Sequence, residues 1–189
     1  MKSANKLFSA KSLTMSGVCI ALYVVLSTYL SITVGGLKLT FEHLPVILRA
    51  AVYGHVTGLI VGALGEFINQ MLPFGFTTTT ILWMAPAIFR GLSIGLAVYT
   101  LRGKFNWGLG HNGKSFPLAF LVLCVVTGLI CSCINTLVLY IDSTMFGYYS
   151  FAMVFGVFWV RLAASALSSV IMGIVVVPLY RAMEKARLI

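Results

Sequence analysis

FEHLPVILRAAVYGHVTGLIVGALGEFINQML, residues 41–72, decides the fold. It is apolar enough to sit in a bilayer, yet it contains Pro45, Arg49 and a Gly54-His55 break. Read as one helix it would overshoot ~30 Å of hydrocarbon and set Arg49 and His55 against lipid, which is expensive. Read as two short helices, 42–53 and 56–72, it places the break at Gly54-His55 and raises the number of membrane helices to six.

The sequence on either side supports a bilayer solvent. Ser12–Leu37, Ser115–Ile141, Ser143–Val160 and Leu162–Tyr180 carry no charge, and Thr79–Leu101 is interrupted only by Arg90. Of the 189 residues, 60% are hydrophobic and 9% charged, against about 25% charged in soluble domains. These figures exclude a soluble globular domain. They predict one all-α transmembrane domain over 1–189, a six-helix bundle with helices near 12–31, 42–53, 56–72, 79–101, 116–141 and 152–181. The first apolar stretch is too long for a signal-peptide core of ~7–15 residues and reads as a span.

The net charge of +9 reports topology. Lys2, Lys6, Lys11, Arg102, Lys104, Lys114, Arg181, Lys185 and Arg187 fall in tails and loops on one face of a six-span bundle. The positive-inside rule makes that face, and both termini, cytoplasmic. No nucleic-acid partner is needed to explain the basicity; the bilayer itself is the expected partner.

Gly108-Leu-Gly-His-Asn-Gly113-Lys114-Ser115 satisfies the letter of the phosphate-loop pattern. That pattern works between a buried strand and a helix, whereas here it joins two membrane spans, so it reads as a Gly-rich cytoplasmic loop and the chain itself is not expected to hydrolyse ATP. Cys19, Cys124, Cys131 and Cys133 lie in apolar spans without metal-ligand spacing, so no metal site, disulfide or covalently bound cofactor is expected.

Ionisable and polar groups at membrane depth usually face a cavity or a partner. Glu66 has Asn69 at i+3 on the same helical face. Arg90 sits at the centre of its span with Trp83 two turns before it. Asn135 and Tyr140 lie toward the outer end of the fifth span, and Arg161 in the first part of the sixth helix, followed on its face by Ser165 and Ser168. Together they could line one outward pocket. The bland readings are a Glu66–Arg ion pair, an interfacial Trp83 and an interhelical hydrogen bond from Asn135. One carboxylate against two arginines leaves positive charge, which favours an anionic guest. Gly54, Gly58 and Gly62, with Gly91 and Gly95, form small-residue ridges suited to internal helix packing; Gly17 and Ala21 on the first helix suit either packing or a partner helix.

At this point the residues resemble a known family. Leu39-Thr40-Phe41 with Leu44-Pro45, the Gly54/Gly58/Gly62-Ala63-Leu64-Gly65 run leading to Glu66, Phe74-Gly75-Phe76-Thr77, Arg90-Gly91-Leu92 with Gly95, Ile134-Asn135-Thr136-Leu137, and Arg161 at the start of a long last helix ending in Pro178 are similar, in order and spacing, to the S components of energy-coupling factor (ECF) vitamin transporters, within them the folate family. The resemblance covers about residues 10–185. It implies a vitamin-binding subunit of the bacterial cell membrane that is not an enzyme. Its partners would be a transmembrane coupling protein (T component) and two cytoplasmic ATPases. The loop near Ile32–Thr40 would gate the site, and Gly17 and Ala21 would dock the coupling protein. Glu66 stands where relatives often carry Asp, and Gly17 where they carry Ala.

The expected ligand is folate or a related anionic vitamin, with the pterin on Trp83, Glu66 and Asn135 and the carboxylates on Arg161 or Lys38; an S component for another vitamin is the nearest alternative. A non-catalytic membrane scaffold is the rival from another class. No paired aspartates, His-Glu-x-x-His or Gly-x-Ser with a partner His support an intramembrane enzyme.

Overall fold

The computed structural model describes residues 10–34, 37–105 and 116–185. The phosphate-loop-like Gly108–Ser115 stretch lies outside them, as do Lys2, Lys6, Lys114 and Arg187. Among the described residues there are six α-helices: α1 (Ala10–Tyr29), α2 (Leu44–Tyr53), α3 (His55–Phe74), α4 (Thr80–Phe105), α5 (Phe116–Met145) and α6 (Phe158–Lys185). Among the same residues four apolar stretches are long enough to cross a membrane unaided, in α1, α4, α5 and the final segment Ala152–Met183.

The chain is not wholly helical. Where a gate loop was expected, Ile32–Val34 (β1) and Leu37–Leu39 (β2) pair antiparallel, with Ile32 opposite Leu39 and Val34 opposite Leu37. The β-branched run Ile32-Thr33-Val34 suits a strand, and β2 lies against α6.

Two short helices replace one long one at residues 44–74. Pro45 occupies the first turn of α2, where its missing N–H costs nothing. Gly54 ends the helix at φ 94°, a backbone region that side chains with a Cβ avoid. At ~1.5 Å per residue the ten residues of α2 span about half the hydrocarbon, so α2 is an internal helix. Its Ile47, Ala50 and Ala51 join Ile94, Val98, Phe120, Cys124, Met172, Val176 and Tyr180 in the main core. Arg49 is also buried: its Nη2 donates to the Ser12 carbonyl at 2.8 Å and the Ser12 hydroxyl at 2.6 Å, and its guanidinium lies 3.8 Å from the centre of the Tyr53 ring. Burial inside protein removes the lipid penalty that argued against a single helix here.

α3 crosses α4 at the glycine ridges. A Cβ on Gly91 would stand 2.4 Å from the Gly58 carbonyl group, and one on Gly58 would stand 2.5 Å from the Ala50 Cβ. These backbones approach as only glycine allows. By contrast α1 buries a narrow stripe, Ser12, Cys19, Tyr23 and Ser27, and its Gly17 has no atom within 4 Å of a would-be Cβ. Gly17 and Ala21 are exposed, so internal packing does not account for them.

The sixth helix starts later than the expected residue 152. Ala152–Gly156 forms one π-helical turn, and α6 begins at Phe158. The wider turn frees backbone carbonyls, and the Arg161 guanidinium donates to those of Met153 and Val154. The basic residues Lys11, Arg102, Lys104, Arg181 and Lys185 fall at or near helix ends.

Candidate substrate-binding cavity

Glu66 is built into the site from three directions. The glycine at Gly65 lets the Tyr23 ring of α1 lie against α3, because a Cβ there would stand 2.7 Å from the ring. Tyr23, fully buried, then donates its hydroxyl to Glu66 Oε2 at 2.6 Å. Gln70, one turn along α3, donates to Oε1 at 2.7 Å, and Asn69 reaches Oε2 at 3.4 Å. Hydrogen bonds to three neutral donors hold this carboxylate, and no arginine pairs with it among the described residues. The ion-pair reading of Glu66 therefore gives way to a neutral cradle.

Around it opens a cavity of about 380 Å³, within the ~300–1,000 Å³ range of small-molecule sites. Glu66, Asn69, Trp83, Arg90, Asn135 and Arg161 all line it. Thr40, Glu42 and His43 enter from the segment between β2 and α2, Gln70 from α3, Pro86 and Ala87 from α4, and Cys131 and Ser132 from α5. Ser165 and Ser168, one and two turns after Arg161, complete the α6 wall. Ser165 also donates to the Gly128 carbonyl at 2.8 Å, tying α6 to α5.

One of the expected residues, Tyr140, is not on the lining. Tyr140 is 41% exposed and packs edge-on against Tyr149 and near Phe155, with ring centres 5.6 and 6.1 Å away. Exposed Phe146, Phe151 and Trp159 extend this aromatic band, a composition typical of the membrane–water interface. Beside it Tyr148 donates to Asp142, and burial together with that carboxylate pushes its hydroxyl up to about 12. Lys38 sits on β2 opposite Thr33 in the hairpin register.

Glu42 changes the electrostatics. It was not among the residues singled out from the sequence, yet the cavity now holds two carboxylates, Glu42 and Glu66, against two guanidinium groups, Arg90 and Arg161. His43 stands between Glu42 and Tyr23, its Nε2 3.6 Å from Glu42 Oε1 and its Nδ1 3.4 Å from the Tyr23 hydroxyl. Among the described residues the lining thus holds as many carboxylates as guanidinium groups. One signal was available: the chain has four acids, and with Asp142 and Glu184 outside the spans Glu42 was the remaining candidate.

The polar groups are unevenly satisfied. Arg90 is 4% exposed, and its Nε and Nη1 have no hydrogen-bond partner. Glu42 Oε1 lies 3.6 Å from His43 Nε2, while Oε2 is buried without a donor. Buried polar atoms in native proteins are normally paired; these three have neither a partner nor appreciable surface open to water.

A family model for the S component of the ECF-type riboflavin transporter matches residues 7–185. The chain belongs to this family. Its fold agrees: a solved structure described as the S component of a bacterial ECF transporter superposes with TM-score 0.55 over 92% of this chain and 93% of that one, at 18% identity. Among curated proteins, a UPF0397 protein from Lactobacillus johnsonii is 28% identical over 142 residues, 72% of this chain and 74% of that protein. A second UPF0397 protein, from Lactobacillus gasseri, is 31% identical over 96 residues, about half of each chain. As an ECF S component the protein is a multi-pass membrane protein of the substrate-binding, non-catalytic kind.

Proposed function

We propose that this S component captures riboflavin, or a closely similar uncharged heteroaromatic vitamin, from outside the cell and delivers it through a separate energising module. The observation that carries the choice of ligand is the charge balance of the cavity, Glu42 and Glu66 against Arg90 and Arg161. Moving an ion into a low-dielectric site is costly unless it meets an unpaired counter-charge. Riboflavin is uncharged and adds nothing to a balanced site. Folate brings two carboxylates, and the two resident carboxylates would oppose them. The name of the matching family model points the same way.

Folate remains the second reading, because Trp83, Glu66 and Asn135 share one cavity and would suit a stacked, hydrogen-bonded pterin. In either case the six helices lie in the bacterial cell membrane with both termini cytoplasmic. The β1–β2 hairpin gates the cavity, and the exposed Gly17/Ala21 face of α1 meets the T component, which works with two ATPases.

Purified protein titrated with each vitamin tests the choice. Riboflavin is expected to lose its own fluorescence on binding at micromolar protein or below, with folate at least a hundredfold weaker by competition. Saturable folate binding with no riboflavin binding would reverse the assignment.

A further inference from the structure

The cavity has two unlike walls. On α4 it is lined by Trp83, Pro86 and Ala87, an indole and two small apolar side chains. On α6 it is lined by Arg161, Ala164, Ser165 and Ser168, which follow one another at helical spacing and so share one face. Arg161, Ser165 and Ser168 are half-buried on this lining and keep surface open to a guest.

The protons of both serines are already committed. Ser165 Oγ donates to the Gly128 carbonyl of α5 at 2.8 Å, and Ser168 Oγ donates to the Ser165 carbonyl one turn back at 3.1 Å. A hydroxyl has one donor and two acceptor lone pairs, so each serine has only acceptor capacity left for a guest. Arg161 is the converse. A guanidinium has several N–H donors and no acceptor, and the bonds to the Met153 and Val154 carbonyls leave part of that set unused. One face of α6 therefore offers donors at Arg161 and acceptors at Ser165 and Ser168.

We propose that this α6 face binds a hydroxylated chain of the ligand, with Ser168 as a specificity residue for it, while the ligand's ring lies toward Trp83. The inference rests on the flavin reading and deepens it by assigning the polyhydroxyl side chain of riboflavin to α6. An ammonium group only donates and carries the same sign as Arg161. A carboxylate or phosphate only accepts, so it meets the serines lone pair to lone pair. A hydroxyl does both: it takes a bond from Arg161, gives one to a serine, and adds no charge to the lining. The two serines are three residues apart, about 5–6 Å between Cβ atoms, so a chain bearing several hydroxyls reaches both where a single hydroxyl does not.

The test compares riboflavin with its 10-pentyl analogue, the same ring bearing a chain of equal length without hydroxyls, by fluorescence titration of wild-type protein and of Ser168→Ala. A site that hydrogen-bonds a substrate hydroxyl rejects the analogue lacking it, so wild type is expected to bind riboflavin at least tenfold tighter than the pentyl flavin. In Ser168→Ala riboflavin weakens by about threefold or more, as the loss of one neutral hydrogen bond requires, and the pentyl flavin does not. The Ser168 bond lies within its own helix, so the melting midpoint of Ser168→Ala should stay at the wild-type value, and a merely structural serine would not tell the two ligands apart. A preference for riboflavin that Ser168→Ala leaves undiminished overturns the proposal. Riboflavin bound by wild type no more tightly than the pentyl flavin overturns it as well and leaves the flavin reading standing; failure of both flavins to bind removes both.

Discussion

The Tyr23 hydroxyl of α1 donates to Glu66 of α3 at 2.6 Å, with Tyr23 fully buried and Glu66 at the cavity wall. α1 is otherwise exposed over most of its surface, so this bond is a main polar tie between that helix and the cavity. Tyr23→Phe keeps the ring against Gly65 and removes only the donor. Glu66 Oε2 is then left with Asn69 at 3.4 Å, and stability is expected to fall by about 1–3 kcal/mol, read as a lower melting midpoint of the ligand-free protein in detergent. Riboflavin affinity should weaken in parallel. An unchanged midpoint would show that the bond is not formed in the membrane protein.

Glycine substitutions separate packing from docking. Gly91→Ala sets a methyl 2.4 Å from the Gly58 backbone, and since backbone cannot rotate away the α3–α4 crossing must widen. Overpacking of this kind costs typically 1–3 kcal/mol. Gly17→Ala meets nothing within 4 Å and should leave the melting midpoint of the isolated subunit unchanged or slightly raised, because Ala is the better helix former. Melting curves of the two variants side by side check this; equal destabilisation would contradict the packing described for α1.

Those contrasts also show what the sequence could reveal. Charge-free windows mark the long helices because lipid tolerates no charge, and Gly54 marks the α2–α3 break because a positive φ leaves a glycine in the chain. Glu66, Asn69, Trp83, Arg90, Asn135 and Arg161 stood out because each is polar or aromatic at membrane depth. Glu42 did not, since its position depends on how the chain returns to the bundle after β2, and so one lining carboxylate went uncounted. Tyr23 looked like any aromatic in an apolar helix; only its contact with Glu66 distinguishes it. The π-helical turn is similarly hidden, because Arg161 stabilises it from the next turn through Met153 and Val154.

Trp83 should report occupancy. It is half-buried on the cavity wall, whereas Trp159 is 76% exposed on the outer surface of the bundle. Ligand-dependent quenching of tryptophan emission is therefore expected to disappear in Trp83→Phe and to survive in Trp159→Phe. Quenching that follows Trp159 instead would place the ligand outside this cavity.

Arg90 should separate folding from binding. Its guanidinium is almost fully buried, with Nε and Nη1 lacking a hydrogen-bond partner. A buried charge without a full set of partners costs stability, and replacing it with an apolar side chain of similar length is often neutral or stabilising. Arg90→Met is accordingly expected to keep or raise the melting midpoint of the ligand-free protein. The same change removes a charged group from the cavity lining, so riboflavin affinity should fall at least tenfold, matching the loss of one charged hydrogen bond of about 1.5–3 kcal/mol. The two effects have opposite sign, which a merely structural arginine would not produce. A variant that melts early and binds normally would show instead that Arg90 holds the bundle together and leaves the ligand to others.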